Sequence, residues 1–441
     1  MTHQVLIGTR SDSLTRPADP RGPARSRRTL PQRVAYWHAA AVIGLCLFAS
    51  VVPSPLYHIY ALDWHFSPLT LTLVYATYAF GVLAALLLAG RVSDQAGRRP
   101  VLLVALAALM VSSALFIAAH ATWWLFVARG VQGLATGTAL SAASAALLDL
   151  HARRDPVSAG LANAVASCAG LGLGVLVSAV LVQAGTAPRT LPYVTLLVLL
   201  GTALAGAFWM PEPVRQRTAF RLTPQRPGVP AGIRHPFLVA SLAVLSSWSI
   251  GGLFFSIGPG LSAHLFGSAN VIIAALGGIL LTLTAALSQL VFRRAAPWRG
   301  TIAGSAALAA GTGLIVVATA AGSSALFAGG SVVAGAGFGA AFLGGLRQLA
   351  GVIPASRRAA VMSAFYLVGY ASLSVPAVLA GLVVTHLGLE TTFEIFGSVV
   401  AGVALVMAAE AWRMRPRSQA GRNADKNLGG EVEAGLRARR Q

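Results

Sequence analysis

Charged residues are scarce in this chain. Asp, Glu, Lys and Arg make up only 10% of its 441 residues, lysine occurs once, and there are two cysteines. So little charge excludes an ordinary soluble protein, in which about a quarter of the residues are charged. Cys46 and Cys168 both lie inside apolar runs, so the sequence offers neither a disulfide framework nor the spacing of metal ligands. We therefore expect no metal and no cofactor.

Apolar sequence is abundant and comes in long runs. The chain is 56% hydrophobic with a mean hydropathy of +0.71, and runs of about 20 apolar residues can cross roughly 30 Å of hydrocarbon. This predicts an all-α integral membrane protein. The runs and their Pro and Gly breakers place twelve helices at residues 34–57, 68–89, 100–119, 122–149, 158–183, 191–210, 236–258, 270–291, 301–320, 324–348, 359–385 and 392–412.

The distribution of positive charge predicts the orientation in the membrane. The formal net charge is +20, but 31 of the 33 basic residues fall in the tails or in loops on one side. Cytoplasmic loops carry such an excess, so we expect both termini in the cytoplasm and no nucleic-acid partner. Residues 1–33 and 413–441 are predicted to be basic cytoplasmic tails. The first tail is expected to be disordered and is not interpreted as a signal peptide. A Pro- and Arg-rich linker at 211–235 separates two six-helix bundles at 34–210 and 236–412.

The loop between the second and third predicted helices carries the most specific pattern. Gly90, Asp94, Gly97, Arg98 and Arg99 form the spacing G-x-x-x-D-x-x-G-R-R. Any cytoplasmic loop of a membrane protein can hold arginines and a glycine, but five positions at fixed spacing are more specific. They resemble the helix 2–helix 3 loop of major facilitator superfamily transporters. The resemblance implies two pseudo-symmetric six-helix bundles with a substrate site between them near the midplane.

The same resemblance implies a role in gating for this motif. In the family the acid equivalent to Asp94 faces the N-terminal end of helix 11, which here begins just after two arginines. An acid is stabilised at a positive helix end, so the contact would hold the cytoplasmic gate closed. Gln95 stands where the family usually has a basic residue. We therefore expect Arg98 or Arg91 to replace it as the charge partner of Asp94.

A second motif lies in helix 4. Arg129, Gln132 and Gly133 form R-x-x-Q-G, which resembles the second motif of the superfamily and implies a role in handling protons or substrate. Arg129 is the only basic residue that we place inside the hydrocarbon of the membrane. Because a buried charge is costly in a membrane, it should face water or a polar cavity. The alternative is that it extends to the headgroups at the outer surface.

Helix 5 carries a third, weaker match. Gly170 and Gly174 fit the first part of the antiporter motif G-x-x-x-G-P-x-x-G-G of drug exporters, but Val175 replaces its proline and Ser178-Ala179 replace its glycine pair. The small residues would still let helices approach closely. The departures weaken the inference of antiport.

The coupling ion is not evident from the sequence. None of the thirteen acids lies in the middle of a predicted helix. Asp63 and Glu394 come nearest, and both are more simply interpreted as outer-surface groups. His38 in helix 1 can titrate near neutral pH, although a hydrogen-bonded structural histidine is the simpler interpretation. Proton antiport through acids near the surface and facilitated diffusion both stay open.

The family's cavity-lining helices nominate a set of polar and aromatic residues. An aromatic, weakly polar lining favours amphipathic or hydrophobic substrates, because the hydroxyls of sugars need paired hydrogen bonds when dehydrated. For each nominated residue, packing between helices is about as good an explanation as contact with substrate. The set is Ser50, Tyr75, Tyr78, Thr136, Asn163, Trp248, Phe254, Gln289, Phe338, Tyr366 and Tyr370.

The resemblance covers residues 34–412 and implies a secondary active transporter that works by alternating access. We expect proton-coupled efflux of small amphipathic compounds or drugs from a monomer in a bacterial inner membrane. The alternative is a proton-coupled symporter that imports a sugar, organic acid or other metabolite. A membrane enzyme is disfavoured, since the helices show no HExxH pattern and no paired carboxylates.

Overall fold

The structure is a computed structural model that describes residues 29–89, 92–214, 226–354 and 357–415. These residues contain no strand, and twelve of their helices are long and apolar enough to cross a membrane. We number these helices as spans 1 to 12. In order, their bounds are Gln32–Trp64, Pro68–Ala89, Arg98–Ile117, Thr122–Leu150, Pro156–Gln183, Leu191–Phe208, Arg234–Ser256, Val271–Val291, Pro297–Ala320, Ser324–Ala350, Arg358–Leu387 and Leu389–Arg413.

The outer surface of the helices is apolar and suited to contact with lipid. Large apolar side chains point outward along the spans, for example Val104 and Val291, which are 70% and 76% exposed. Exposed tryptophans, among them Trp37, Trp209 and Trp412, lie at the ends of spans. Tryptophan is typical of the membrane–water interface. The chain is therefore a multi-pass membrane protein, as the sequence predicts.

Twelve spans bring both ends of the described chain to the same side of the membrane. We call this side the terminal face, and it also holds the connections after spans 2, 4, 6, 8 and 10. We call the other side the far face, which holds the connections after spans 1, 3, 5, 7, 9 and 11.

The spans pack as two bundles with the same internal pattern. Span 1 packs against spans 4 and 5, span 4 against spans 2 and 3, and span 3 against span 6. Spans 7 to 12 repeat these pairings in the same order. The two bundles meet along two seams, span 2 with span 11 and span 5 with span 8. The predicted fold class, twelve helices in two pseudo-symmetric bundles, is confirmed.

Prolines break the first span of each bundle at its far-face end. Span 1 stops being α-helical at Val51, passes through a short 3-10 turn at Ser54–Leu56, and continues as Tyr57–Trp64. Span 7 ends at Ser256 and is followed by a further helix, Gly258–Phe266. Proline lacks the N–H that an interior helical residue donates, but it is accepted at the start of a new helix. At each break the helix therefore ends, the backbone bends, and a new helix begins.

The predicted helices agree with the observed spans apart from their ends. The predictions 34–57 and 236–258 stop near these breaks and miss the helices Tyr57–Trp64 and Gly258–Phe266 that follow. Span 9 begins at Pro297, four residues before its predicted start. Most of both predicted tails, the middle of the linker, Gly90 and Arg91 lie outside the described residues. The predicted domain boundaries stay a prediction.

Candidate functional site

Arg129 is the centre of the first bundle. Its side chain is completely buried in span 4. The Nε atom donates a hydrogen bond to the Tyr57 hydroxyl at 2.6 Å, and Nη1 donates to the carbonyl of Ser50 and to Oε1 of Gln132, each at 2.6 Å. Gln132 in turn donates from Nε2 to the carbonyl of Ala49 at 2.9 Å. Arg129 therefore points into the bundle and does not extend to the headgroups.

The break in span 1 provides these acceptors. Proline has no N–H, so Pro53 leaves the carbonyl of Ala49 without its usual partner four residues later. The helix ends at Val51, so the carbonyl of Ser50 also belongs to its unsatisfied last turn. Arg129 and Gln132 of span 4 satisfy both carbonyls. The R-x-x-Q-G motif and the proline break thus form one unit.

The same arrangement recurs at two other prolines. In span 11, Pro376 frees the carbonyl of Ser372, which accepts a hydrogen bond from the hydroxyl of Ser249 at 3.1 Å. Pro259, in the helix that follows span 7, frees the carbonyl of Phe255 in span 7, four residues before it. Its partner comes from the other bundle and is described below. Side chains of neighbouring spans satisfy the freed carbonyls, as the lack of water in a membrane requires.

Three tyrosine rings surround the Arg129 guanidinium. Its central carbon lies 5.4, 6.0 and 5.5 Å from the ring centres of Tyr57, Tyr75 and Tyr78. We call these three residues the tyrosine cage. The negative faces of aromatic rings attract cations, so the cage compensates part of the cost of burying the charge. Among the described residues, no carboxylate forms an ion pair with Arg129.

An aromatic cluster lies where span 2 meets span 11. Tyr78 and Tyr370 pack together across this seam, with Trp248 of span 7 and Tyr366 of span 11 beside them. Trp248 meets the ring of Tyr370 edge to face at 5.1 Å. Four residues nominated from the sequence are thus brought together between the bundles. We call them the seam cluster.

The other nominated residues lie elsewhere. Ser50 and Thr136 are buried beside the tyrosine cage. Asn163 bonds Ser144 between spans 5 and 4 at 2.8 Å, and Gln289 of span 8 approaches the Cys168 sulfur of span 5 at 3.4 Å.

Two nominated phenylalanines and three glycines pack between helices. Phe254 packs against Phe327 and Phe393 in the second bundle, and Phe338 belongs to the same apolar cluster. Gly133 lies against the backbone of span 2, and Gly170 and Gly174 lie against that of span 1. The close approach expected of the small residues in helix 5 is present.

Two hydrogen bonds join the bundles at the far face. The hydroxyl of Ser54 donates to the carbonyl of Phe255 at 2.8 Å, and the amide of Val271 at the start of span 8 donates to Gln183 of span 5 at 2.8 Å. Ser54 is the partner of the carbonyl that Pro259 frees. The bundles are therefore closed against each other on this side.

The gating motif is held together by Arg98. Its guanidinium pairs with Asp94, donates to the hydroxyl of Ser93 at 2.8 Å, and pairs with Asp149 at the end of span 4 at 3.1 Å. Arg98 is thus the charge partner of Asp94. The Asp94 side chain is 58% exposed, and Arg357 and Arg358 at the start of span 11 are exposed as well. The latch between Asp94 and span 11 stays a prediction.

The start of span 3 has a partner that the sequence interpretation missed. The backbone amides of Arg98 and Arg99 each donate to a carboxylate oxygen of Glu212 at 3.0 Å. Gly97 precedes them at φ +104°, a conformation that favours glycine, and its Cα lies against the same carboxylate. A negative group stabilises the positive end of a helix. The only signal in the sequence was that the start of span 3 lacks an acidic residue of its own.

At the start of span 5 the cap is local. The Asp155 carboxylate accepts hydrogen bonds from the amides of Val157 at 3.0 Å and Ser158 at 3.1 Å. The bond from the Ser158 hydroxyl, followed by these amides, lowers the pKa of Asp155 below its usual value.

Two broken helix bundles that pack around a buried charge and an aromatic seam have the architecture of a membrane transporter. The sequence profile of the Major Facilitator Superfamily matches residues 39–375. The chain belongs to this superfamily.

Known proteins give more distant similarities. Multidrug resistance protein MdtL from Klebsiella pneumoniae strain 342 is 35% identical over 106 residues, which cover 24% of this chain and 27% of that protein. MdtL from Escherichia coli O81 strain ED1a is 30% identical over 182 residues, 40% of this chain and 42% of that protein. The chain thus spans less than half the length of these relatives. The human organic anion transporter MFSD10 (TETRAN) superposes with a TM-score of 0.63 over 87% of this chain and all of that chain, at 19% identity, which shows the fold.

Proposed function

We propose that this protein is a secondary active transporter that exports small amphipathic compounds or drugs in exchange for protons. The observation that carries the proposal is the contact between the bundles. They touch through hydrogen bonds at the far face and through the seam cluster deeper in the membrane, with Arg129 behind it. Alternating access requires the far-face contacts to break and an opposite gate to close. The similarity to MdtL supports export of drugs.

The orientation is part of the proposal. We assign the terminal face to the cytoplasm and the membrane to the inner membrane of a bacterium, because the basic residues concentrate on this face. The far-face contacts then form the outer gate, and the molecule faces the cytoplasm. The protein is expected to work as a monomer, since each monomer contains both halves of the site.

Transport in inverted membrane vesicles tests this proposal. When substrate is added to energised vesicles containing the protein, an exporter moves protons out of the vesicle lumen as the compound enters. A symporter that imports metabolites gives proton movement of the opposite sign. Absence of any protein-dependent compound movement in a screen of drugs and metabolites would contradict the proposal.

The latch gives a second test of the same proposal. Asp94→Asn keeps the shape of the side chain but removes its charge, so closure of the terminal face should weaken while the fold persists. We expect transport to fall and the thermal unfolding midpoint to change little. Glu390→Gln, a surface change on the far face, is the matched control.

A further inference from the structure

We propose that the transported compound is an anion whose negative group binds Arg129 inside the tyrosine cage. This inference rests on the proposed transport function and specifies its substrate class. It starts from the charge balance of the membrane-embedded part. Arg129 contributes a fixed positive charge that is completely buried, and among the described residues no carboxylate pairs with it.

Seven of the eight described acids have partners elsewhere. Those with an ion pair or a helix cap sit at the two faces of the membrane: Asp63, Asp94, Asp149, Asp155, Glu212, Glu390 and Glu410. Glu394 is one turn into span 12 from the far face. A cationic compound entering between the bundles would thus meet a cation and no acid. An anionic compound would neutralise a charge that is costly to bury alone.

Arg129 keeps a donor for such a group. Its Nε and Nη1 atoms are used by Tyr57, Ser50 and Gln132, whereas Nη2 is buried and has no hydrogen-bond partner in the described chain. A guanidinium nitrogen is suited to binding a carboxylate or sulfonate oxygen. The structural role of the arginine and the proposed binding role therefore use different atoms.

Two buried hydroxyls, those of Tyr78 and Thr136, lie beside the Arg129 guanidinium. Tyr78 Oη lies near the hydroxyls of Ser50 and Thr136. Tyr78 Oη and Thr136 Oγ1 are both buried, and their nearest polar partners are each other and the Ser50 hydroxyl. Thr136 lies seven residues after Arg129 and therefore on the same face of span 4. Buried polar atoms are normally satisfied, so the unpartnered Nη2 of Arg129 beside these hydroxyls points to a bound polar group.

The cage also has a route to the seam between the bundles. Tyr78 is a wall of the cage and a member of the seam cluster, where it packs against Tyr370. An amphipathic anion can therefore place its apolar body against the rings of the seam cluster while its negative group passes Tyr78 toward Nη2. The occupant that fits is an aromatic or alkyl carboxylate or sulfonate.

Calorimetry with three matched probes tests the inference. The purified full-length protein, in nanodiscs of uncharged phosphatidylcholine, is titrated with 2-naphthoate, 2-naphthamide and the 2-naphthylmethyltrimethylammonium cation. The three share one apolar body and differ in charge. We expect the anion to bind at least about tenfold more tightly than the amide, because a hydrogen bond to a charged group is stronger than one between neutral groups. Equal affinities, or tighter binding of the cation, would overturn the inference.

Variants separate binding from folding. Arg129→Gln should abolish the preference for the anion and Arg129→Lys should retain part of it, but both also disturb the span 1 break. The double variant Tyr78→Phe, Thr136→Val removes hydroxyls whose only partners are each other and Ser50, so it should unfold close to wild type and bind naphthoate several-fold more weakly. Thr138→Val is the control on the same helix, since that hydroxyl bonds the Leu134 carbonyl of its own span. If the double variant binds naphthoate with wild-type affinity, the assignment of the anion site is wrong.

Transport in proteoliposomes distinguishes this inference from the proposed function. If naphthoate binds with the expected preference but no compound is moved, the transport function fails and the anion site stands. The opposite result is that cationic or neutral compounds are transported and displace naphthoate at concentrations below its own dissociation constant. In that case the transport function stands and the anion site fails.

Discussion

The hydroxyl of Ser54 and the carbonyl of Phe255 lie 2.8 Å apart and join the first span of one bundle to the first span of the other. Prolines make this bond possible on both sides. Ser54 sits between Pro53 and Pro55 in the break of span 1, and Pro259 frees the carbonyl of Phe255. The two equivalent breaks thus meet at the far face and form a contact that must open during transport.

Ser54→Ala should shift the molecule toward a state open at the far face. The substitution leaves a buried carbonyl unsatisfied only in the closed state, which costs about 1 kcal/mol or more and changes the populations at least about fivefold. The measurement is the distance between spin labels at Leu62→Cys and Ala269→Cys, which lie on the far-face ends of the two bundles. A longer mean distance is expected.

Ser256→Ala is the control for that measurement. Its hydroxyl is equally buried, but it bonds the Gly252 carbonyl of its own span at 2.7 Å and does not cross between the bundles. It should leave the distance distribution unchanged. If both alanine variants lengthen the distance alike, the Ser54–Phe255 bond is not the element that closes the far face.

Gln132→Leu should destabilise the protein because it removes the partner of a proline-freed carbonyl. The Ala49 carbonyl would be left buried without a hydrogen bond, at a cost of about 1–3 kcal/mol. Arg129 would also lose the acceptor Oε1 at 2.6 Å. In detergent, the thermal unfolding midpoint of Gln132→Leu should be lower than that of Thr138→Val, whose hydroxyl lies on another side of the same helix.

Glu212→Gln should weaken the attachment of the linker to span 3. The amide side chain keeps one acceptor oxygen, so only one of the amides of Arg98 and Arg99 retains its partner and the other faces an NH2 group. The charge that favours a helix N-terminus is also lost, which alone costs about 0.3–1 kcal/mol. Glu212→Ala removes both bonds and should lower the unfolding midpoint further. Glu390→Gln on the far face is the comparison, and an equal effect there would show that the cap is unimportant.

Asp155 gives a pH-dependent contribution with a defined sign. Its folded-state pKa is lowered, so the cap stabilises the native state above the unfolded pKa of about 3.9 and is lost as the pH falls through the folded pKa. The difference in unfolding midpoint between wild type and Asp155→Ala should therefore be constant near neutral pH and shrink below about pH 4. A difference that grows toward acid pH would contradict the assignment.

The sequence predicted the spans well because each is a long apolar run, and it singled out Arg129 and Gln132 as one motif because their spacing is local. It could not predict the cap formed by Glu212, which lies 114 residues from Arg98. Nor could it show that Ser54 would meet Phe255, since that bond depends on how two bundles pack. Tyr75 and Tyr78 were nominated for a cavity, but their position as walls around Arg129 emerged only from the helix packing.

The glycines of span 5 provide a test within one helix. A Cβ added at Gly174 would lie 2.6 Å from the Phe48 carbonyl oxygen and 2.8 Å from its Cα, whereas a Cβ at Gly160 meets nothing within 4 Å. Gly174→Ala should force spans 1 and 5 apart and destabilise the protein by about 1–3 kcal/mol. Gly160→Ala should stabilise by up to about 1 kcal/mol, because alanine is the better helix former. Opposite shifts of the thermal midpoint are expected. Equal shifts would mean that the small residues of span 5 do not set its distance from span 1. Hydrogen bonds from Arg129, Gln132 and Ser178 would then contribute more than close packing to holding the broken span.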